Sequence, residues 1–166
     1  MDGKVEIVPF GMQHFDAVLR LWRKSEGIAL GASDSRSSIR AYLARNGGMS
    51  SVAMSGGKVA GVVLAGHDGR RGFLHHLAVD PRFRRQGVGR GLVDRSLCQL
   101  RDAGMEKCHL FVINRNAGGI AFWKSVGWTS RTDITIMSKD IPRGSRRGRM
   151  PGKARKAKHD DDSGAC

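Results

Sequence analysis

The sequence predicts an α/β domain in which helices pack against one mixed sheet. Two observations carry this prediction: short apolar or alternating runs typical of strands, and intervening segments with apolar residues at helical spacing. Their order along the chain is β-α-α-β-β-β-α-β-α-β. The chain has 166 residues, of which 40% are hydrophobic. This length and apolar content suit one domain with a single core.

The first half of the chain contains two predicted helices. Phe15, Val18, Leu19 and Trp22 lie on one face of the first of them. Asp34 is the expected N-cap of the second. The segment Ser55-Gly56-Gly57 predicts a hairpin between two strands. The predicted elements are strands over residues 5–10, 49–54 and 58–65, and helices over residues 12–24 and 34–46.

The second half alternates strands and helices. Its clearest helix has an apolar stripe of Val88, Leu92, Val93, Leu97 and Leu100, with Gly104 as its stop. Asn116 is the expected cap of a shorter helix. The predicted elements are strands over residues 72–79, 107–113 and 128–137, and helices over residues 87–103 and 116–126.

Charge divides the chain into two regions. Lys and Arg number 29 against 15 Asp and Glu, giving a net charge of +14, which favours anionic partners. Residues 142–166 hold eight basic and three acidic residues, a net +5, and leave +9 for residues 1–141. Because residues 142–166 contain no Val, Leu, Ile, Phe, Trp or Tyr, we expect a disordered basic tail. We expect residues 1–141 to form the domain.

Several protein classes do not fit this sequence. No apolar block of signal-peptide length follows Met1. The longest mostly apolar run, residues 59–66, is far shorter than the roughly 20 residues of a membrane helix. Cys98, Cys108 and Cys166 are odd in number and lack CxxC spacing, so we expect neither a disulfide framework nor a metal site. A reducing cytoplasm suits such cysteines.

The most informative segment runs from Leu77 to Leu92. A predicted strand ends, a basic loop follows, and glycines begin a helix, whose free N–H groups favour an anion. Gly87 and Gly89 carry no side chains that would keep a phosphate from the backbone, and arginines can add charged hydrogen bonds. The spacing fits neither the dinucleotide fingerprint nor the P-loop.

Arg84-Arg85-Gln86-Gly87-Val88-Gly89 instead forms an R-x-x-G-x-G pattern after Leu-Ala-Val. This pattern resembles the coenzyme A pyrophosphate loop of the GCN5-related N-acetyltransferases (GNAT family). A second segment, residues 116–128, is similar to that family's N-x-x-A-x-x-F-Y-x-x-x-G-F segment. Here Gly119, Trp123 and Trp128 replace its usual Ala, Tyr and Phe.

The resemblance covers roughly residues 5–138 and implies a mostly antiparallel central sheet flanked by helices. It also implies a small stand-alone acetyltransferase that transfers an acetyl group from acetyl-CoA, its co-substrate, to an amine by direct attack. The residues that it assigns to acetyl-CoA binding are Leu77, Ala78, Val79, Arg84, Arg85, Gln86, Gly87, Val88, Gly89, Arg90, Asn116 and Trp123. Asn116 would either cap the helix alone or also touch the cofactor, and Trp123 would pack beside the pantetheine arm, whereas core packing is the expected role of Phe122.

The same resemblance assigns the catalytic groups. A backbone N–H near Leu77 would donate to the thioester carbonyl. His75 stands where the family often has its base, and strand alternation predicts that residues 75, 77 and 79 share one face while His76 points away. A bulge would make His76 the base instead. Glu26 is a weaker candidate. Because Trp123 replaces the family's tyrosine, no acid is assigned.

Two other functions stay open at this point. If the loss of the family's tyrosine abolishes catalysis, the resemblance implies a protein that binds coenzyme A without being an enzyme. Its basic tail favours nonspecific nucleic-acid contact, in a nucleic-acid-binding or ribosome-associated protein. The acceptor amine, whether a small molecule or a protein amine, is not readable from the sequence. We expect a monomer or homodimer without membrane contact.

Overall fold

A computed structural model describes residues 4–141. The chain divides into two units, residues 1–130 and residues 131–166, and the first unit holds all the described helices and strands. The strands are β1 (Glu6–Pro9), β2 (Ser51–Ser55), β3 (Lys58–His67), β4 (Gly72–Val79) and β5 (Cys108–Leu110). The helices are α1 (Phe15–Arg23), α2 (Arg36–Arg45), α3 (Val88–Asp102) and α4 (Ala117–Ser125).

The five strands form one sheet in the order β1-β2-β3-β4-β5. The first three pairings are antiparallel, and β5 joins β4 in parallel. Glycine-containing turns connect β2 to β3 and β3 to β4, whereas α1 and α2 lie between β1 and β2. The helix α3 provides the crossover that the parallel pairing of β4 with β5 requires. The predicted mixed, mostly antiparallel sheet with flanking helices is confirmed.

Helices cover both faces of the sheet. On one face, Trp22 of α1 and Ile39 of α2 are buried with Val62 and Ala78 of the sheet. On the other face, Leu92 of α3 is fully buried in a second cluster. Because β3 is covered on both sides, residues 60–66 are buried without interruption. This burial explains why its sequence is a continuous apolar run rather than an alternating one.

Three predicted boundaries need correction. The first helix begins at Phe15, because Met12–His14 form a 3-10 turn. Ser35, rather than Asp34, caps α2, and its hydroxyl accepts the amide of Ser38. The strand predicted over residues 107–113 is only the three residues of β5.

The last predicted strand, residues 128–137, is wrong: residues 131–141 contain neither helix nor strand. Ile134, Ile136 and Met137 are 55%, 63% and 91% exposed. Alternation specifies a strand only where one face is buried, and these side chains are not buried. The basic tail predicted over residues 142–166 lies outside the described residues. No described helix has the length and hydropathy needed to cross a membrane.

Candidate active site

The loop between β4 and α3 presents an uncapped helix start. Gly87 is the N-cap residue of α3 and has a left-handed φ of 81°, with no side-chain cap. The first hydrogen bond of the helix runs from the Gly91 amide to the Gly87 carbonyl at 2.9 Å. The amides of residues 87–90 precede that bond and have no partner within the helix. Side chains of Ser35 and Asn116 cap α2 and α4, so α3 differs from both.

Hydrogen bonds within the loop hold its shape. The Arg84 side chain donates from Nε to the Val79 carbonyl at 3.2 Å, and Gln86 donates from Nε2 to the Arg82 carbonyl at 2.9 Å. Arg85 has a left-handed φ of 63° and is exposed. Within residues 4–141, the Arg85 guanidinium makes no hydrogen bond or ion pair, so it is free to meet an anion.

Other residues assigned to this loop have structural partners. The Arg90 guanidinium lies 3.4 Å from the Ser125 carbonyl at the end of α4. Val88 is 5% exposed and can offer a ligand only its backbone. A Cβ at Gly89 would lie 3.2 Å from the Phe122 ring, whereas a Cβ at Gly87 would meet open space. Gly89 therefore permits α3 to approach α4, and Gly87 provides the left-handed turn.

A β-bulge interrupts β4 directly before this loop. Val62 pairs with Ala78, but Leu64 pairs with His75, so His76 and Leu77 both stand opposite Val63. His76 has a left-handed φ of 53°. The expectation that residues 75, 77 and 79 share one face is therefore wrong. Leu77 and Val79 pack with α3, whereas the rings of His75 and His76 contact Tyr42 of α2 and Trp22 of α1.

His76 forms a hydrogen bond with a buried carboxylate. Its Nε2 lies 2.9 Å from Oδ1 of Asp34, whose side chain is 8% exposed. The other carboxylate oxygen of Asp34 accepts the Gly31 amide at 2.8 Å. The indole N–H of Trp22 donates to the His76 carbonyl at 2.9 Å. Three separate segments thus meet at the bulge.

His75 has different surroundings, made of aromatic rings. It stacks on Phe73 at a ring distance of 6.1 Å and meets Tyr42 edge-on at 6.5 Å. Phe111 lies 6.3 Å away. Burial lowers the pKa of His75; the neighbouring His76 adds to this lowering, and Asp34 opposes it. These surroundings therefore favour the neutral form of the His75 ring.

The two candidates on α4 have structural contacts. The Asn116 side chain caps the helix through the Gly119 amide at 2.9 Å. A side chain at Gly27 would collide with the Asn116 amide, so the loop after α1 passes directly against this cap. Exposed Glu26 precedes Gly27. Trp123 packs edge-on between the rings of Phe122 and Trp128, each 5.2 Å away.

Sequence reasoning missed the partners of His76. The sequence predicts Asp34 as the N-cap of the second helix, but Ser35, the next residue, is the N-cap of α2. Asp34 and Ser35 are adjacent, and both are strong N-cap residues, but a helix needs only one. This redundancy could have indicated that the Asp34 side chain binds another partner. The sequence did not indicate the hydrogen bond from the Trp22 indole to His76, because the position of Trp22 in its helix is that of an ordinary core residue.

The family model for the Acetyltransferase (GNAT) family matches residues 15–128, more than half of the chain. The chain belongs to the GNAT acetyltransferases. An acetyltransferase of Pectobacterium atrosepticum is 30% identical over 132 residues, covering 80% of this chain and 93% of the relative.

Solved GNAT structures show the same fold. Ard1 from Thermoplasma volcanium has a TM-score of 0.67 and 25% identity, covering 75% of this chain and 82% of Ard1. PaiA N-acetyltransferase from Thermoplasma acidophilum, solved with coenzyme A, has a TM-score of 0.68 and 16% identity, covering 77% and 91%. The predicted GNAT family, N-acetyltransferase class and fold are confirmed, and the family implies acetyl transfer from acetyl-CoA.

Proposed function

We propose that this GNAT protein binds acetyl-CoA at the β4–α3 loop and transfers its acetyl group to a primary amine by direct attack. The observation that carries the proposal is the uncapped, glycine-led start of α3 immediately after the bulged strand β4. A protein with this fold and family membership is expected to place a thioester beside that strand. The proposed acceptor is an amine of either a small molecule or a protein.

The chain's residues fit the diphosphate of acetyl-CoA. The unpaired amides at the start of α3 and the helix dipole favour a negative group there. The exposed, unpaired Arg85 guanidinium adds positive charge, and the internal hydrogen bonds of Arg84 and Gln86 hold the loop ready for binding. Preorganised donors lose little entropy when a ligand binds.

The bulge supplies the groups for chemistry. Acetyl-CoA, when bound, provides the thioester whose carbonyl carbon accepts the amine. We assign the Leu77 backbone N–H as the donor to the carbonyl oxygen, where negative charge develops. A histidine on β4, His75 or His76, removes the proton of the amine. Both rings lie on the α1–α2 side of the sheet, so that side receives the acceptor, with Glu26 in the adjoining loop.

We assign no side chain as the acid. The Trp123 indole is a donor without useful acidity, and it packs among aromatic rings. A thiol with a pKa of about 8.5 leaves as a thiolate without a protein acid. We place the protein in the cytoplasm because Cys98 and Cys108 are free thiols, which suits a reducing compartment.

Calorimetric titration with acetyl-CoA tests the binding site. Gly87→Glu places a like charge and a strained left-handed side chain where the diphosphate lies, and we expect at least about a tenfold loss of affinity. Arg85→Ala removes one charged contact, and we expect a loss of roughly three- to tenfold.

Gly104→Glu is the matched control. Gly104 has a φ of 83° and open space around its missing side chain, as Gly87 does, but it follows the opposite end of α3. The control should bind acetyl-CoA like the wild type. Equal affinity of the Gly87→Glu and Gly104→Glu variants contradicts the proposed site. Wild-type protein that binds acetyl-CoA but acetylates no amine is a coenzyme A-binding protein without catalysis.

A further inference from the structure

We infer that His76, held by the carboxylate of Asp34, is the group that takes the proton of the acceptor amine. The inference rests on the proposed function and deepens it by choosing between the two histidines of β4. Asp34 is a positioning residue, because it acts through His76.

The hydrogen bonds of Asp34 determine which nitrogen of His76 is free. Oδ2 of Asp34 accepts the Gly31 amide at 2.8 Å, and Oδ1 lies 2.9 Å from Nε2 of His76. An ionised carboxylate only accepts hydrogen bonds, so Nε2 carries the hydrogen. In the neutral ring Nδ1 then has a lone pair and can accept a proton.

Nδ1 of His76 is accessible. It makes no hydrogen bond within residues 4–141, and it is not among the buried polar atoms that lack a partner. The His76 side chain is 23% exposed, although its Asp34 partner is buried. Nε2 is therefore held by Asp34, whereas Nδ1 belongs to a partly exposed ring and has no partner among the described residues.

The backbone places this ring beside the proposed donor to the thioester carbonyl. His76 directly precedes Leu77, and both residues belong to the bulge. Its left-handed φ of 53° is unfavourable for a residue other than glycine. The Trp22 indole holds the His76 carbonyl at 2.9 Å and packs edge-on against the ring at 5.2 Å. The surrounding contacts thus stabilise an otherwise unfavourable conformation that presents the ring.

His75 lacks these features. Aromatic rings of Phe73, Tyr42 and Phe111 surround it, and within residues 4–141 its ring forms no hydrogen bond with a carboxylate, although Asp34 lies near enough to raise its pKa. A proton taken by His75 would place a positive charge in a half-buried aromatic environment. At His76 the Asp34 carboxylate compensates the charge. Asp34 and His75 are the titratable groups beside His76, and α1 contributes the uncharged Trp22.

These groups account for every bond, proton and electron pair in the proposed chemical step. The amine nitrogen forms a bond to the carbonyl carbon, and the bond from that carbon to sulfur breaks. The proton of the amine moves to Nδ1 of His76, and sulfur leaves with the bonding pair as a thiolate that takes a proton from water. Asp34 stays ionised throughout, and His76 later releases its proton to solvent.

Three variants test this assignment. His76→Asn removes the base with a residue that tolerates the left-handed backbone. Asp34→Asn keeps a hydrogen-bond acceptor and removes the charge, so a purely structural role would survive it. His75→Phe keeps the aromatic stack and removes the other imidazole. Each is assayed across pH with whichever of spermidine, kanamycin or an N-terminal-alanine peptide the wild type acetylates fastest.

We expect His76→Asn to lower kcat about 100-fold or more and to remove the acid limb of the pH–rate profile. Asp34→Asn should lower kcat by about 10–100-fold, and Asp34→Glu should restore part of that loss. His75→Phe should retain the acid limb of the pH–rate profile, whatever its effect on the maximal rate. The KM for acetyl-CoA should not change in any of these variants. A His76→Asn variant with the wild-type profile, or a profile lost only in His75→Phe, overturns the inference.

A second measurement does not depend on turnover. In the neutral form of the His76 ring, nitrogen NMR of the wild type should show the hydrogen on Nε2, and the opposite tautomer overturns the inference. Failure of the proposed function is recognised separately, because the wild type would then acetylate no amine of the panel.

Discussion

At the scale of single residues, Tyr42 has an unusual environment. Its hydroxyl is the one buried side-chain polar atom without a hydrogen-bond partner in the part of the chain that the structure describes. A Cβ at Gly66 would lie 2.6 Å from this oxygen, so only glycine leaves room for it. Burial raises the pKa of Tyr42 to about 12, and the nearby Cys108 thiol adds to the shift.

Tyr42 is the only tyrosine of the chain, so tyrosinate absorbance reports it alone. In the folded protein we expect ionisation near pH 12, rather than near the ordinary value of 10.0. Because the folded-state pKa is the higher one, this group's contribution to stability is complete below pH 10 and is lost as the pH rises towards 12. The same titration in urea should return the ordinary pKa. Ionisation near 10 in the folded protein would contradict the buried hydroxyl.

At the scale of elements, α1 supports the bulge of β4 through one hydrogen bond. Trp22 is 1% exposed, and its indole N–H donates to the carbonyl of His76. This hydrogen bond is part-buried, so water can replace the lost donor only incompletely and the carbonyl keeps part of its desolvation cost. The helix is therefore linked to the candidate active site through the backbone of β4.

Trp22→Phe tests this connection. The substitution keeps an aromatic ring but removes the donor and some volume, and we expect a loss of about 2 kcal/mol in the free energy of unfolding. Urea denaturation measures it. Trp123→Phe is the control, because Trp123 is only half-buried and makes ring contacts rather than a hydrogen bond. Equal losses in the two variants would show that ring packing alone accounts for the effect.

Local patterns predicted most elements, because caps, turns and apolar stripes depend on neighbouring residues. The apolar stripe of α3 and its flanking glycines predicted that helix to within one residue at either end. The bulge at His76 depends on the pairing of β3 with β4, which local patterns do not determine. The prediction that His75 and Leu77 share one face of the strand is therefore wrong. Asp34 and His76 are 42 residues apart, and only the fold brings them together.

At the scale of the whole molecule, charge is distributed between two parts of the sequence. Residues 142–166 contain eight of the 29 basic residues, whereas the GNAT match covers residues 15–128. The described helices and strands end at Ser125. The residues proposed for acetyl transfer and the basic residues expected to favour nucleic-acid contact thus lie in different stretches of sequence, so a truncation tests each separately.

A chain ending at Ile141 tests this separation. Every residue assigned to acetyl transfer lies before that point, so we expect kcat and acetyl-CoA affinity within about twofold of the full chain. Affinity for duplex DNA should fall, and its dependence on salt should weaken because up to eight basic side chains no longer displace counterions. Fluorescence anisotropy over a salt series measures both effects. Loss of turnover would place part of the enzyme beyond Ile141, whereas unchanged DNA binding would assign the attraction to the net +9 of residues 1–141.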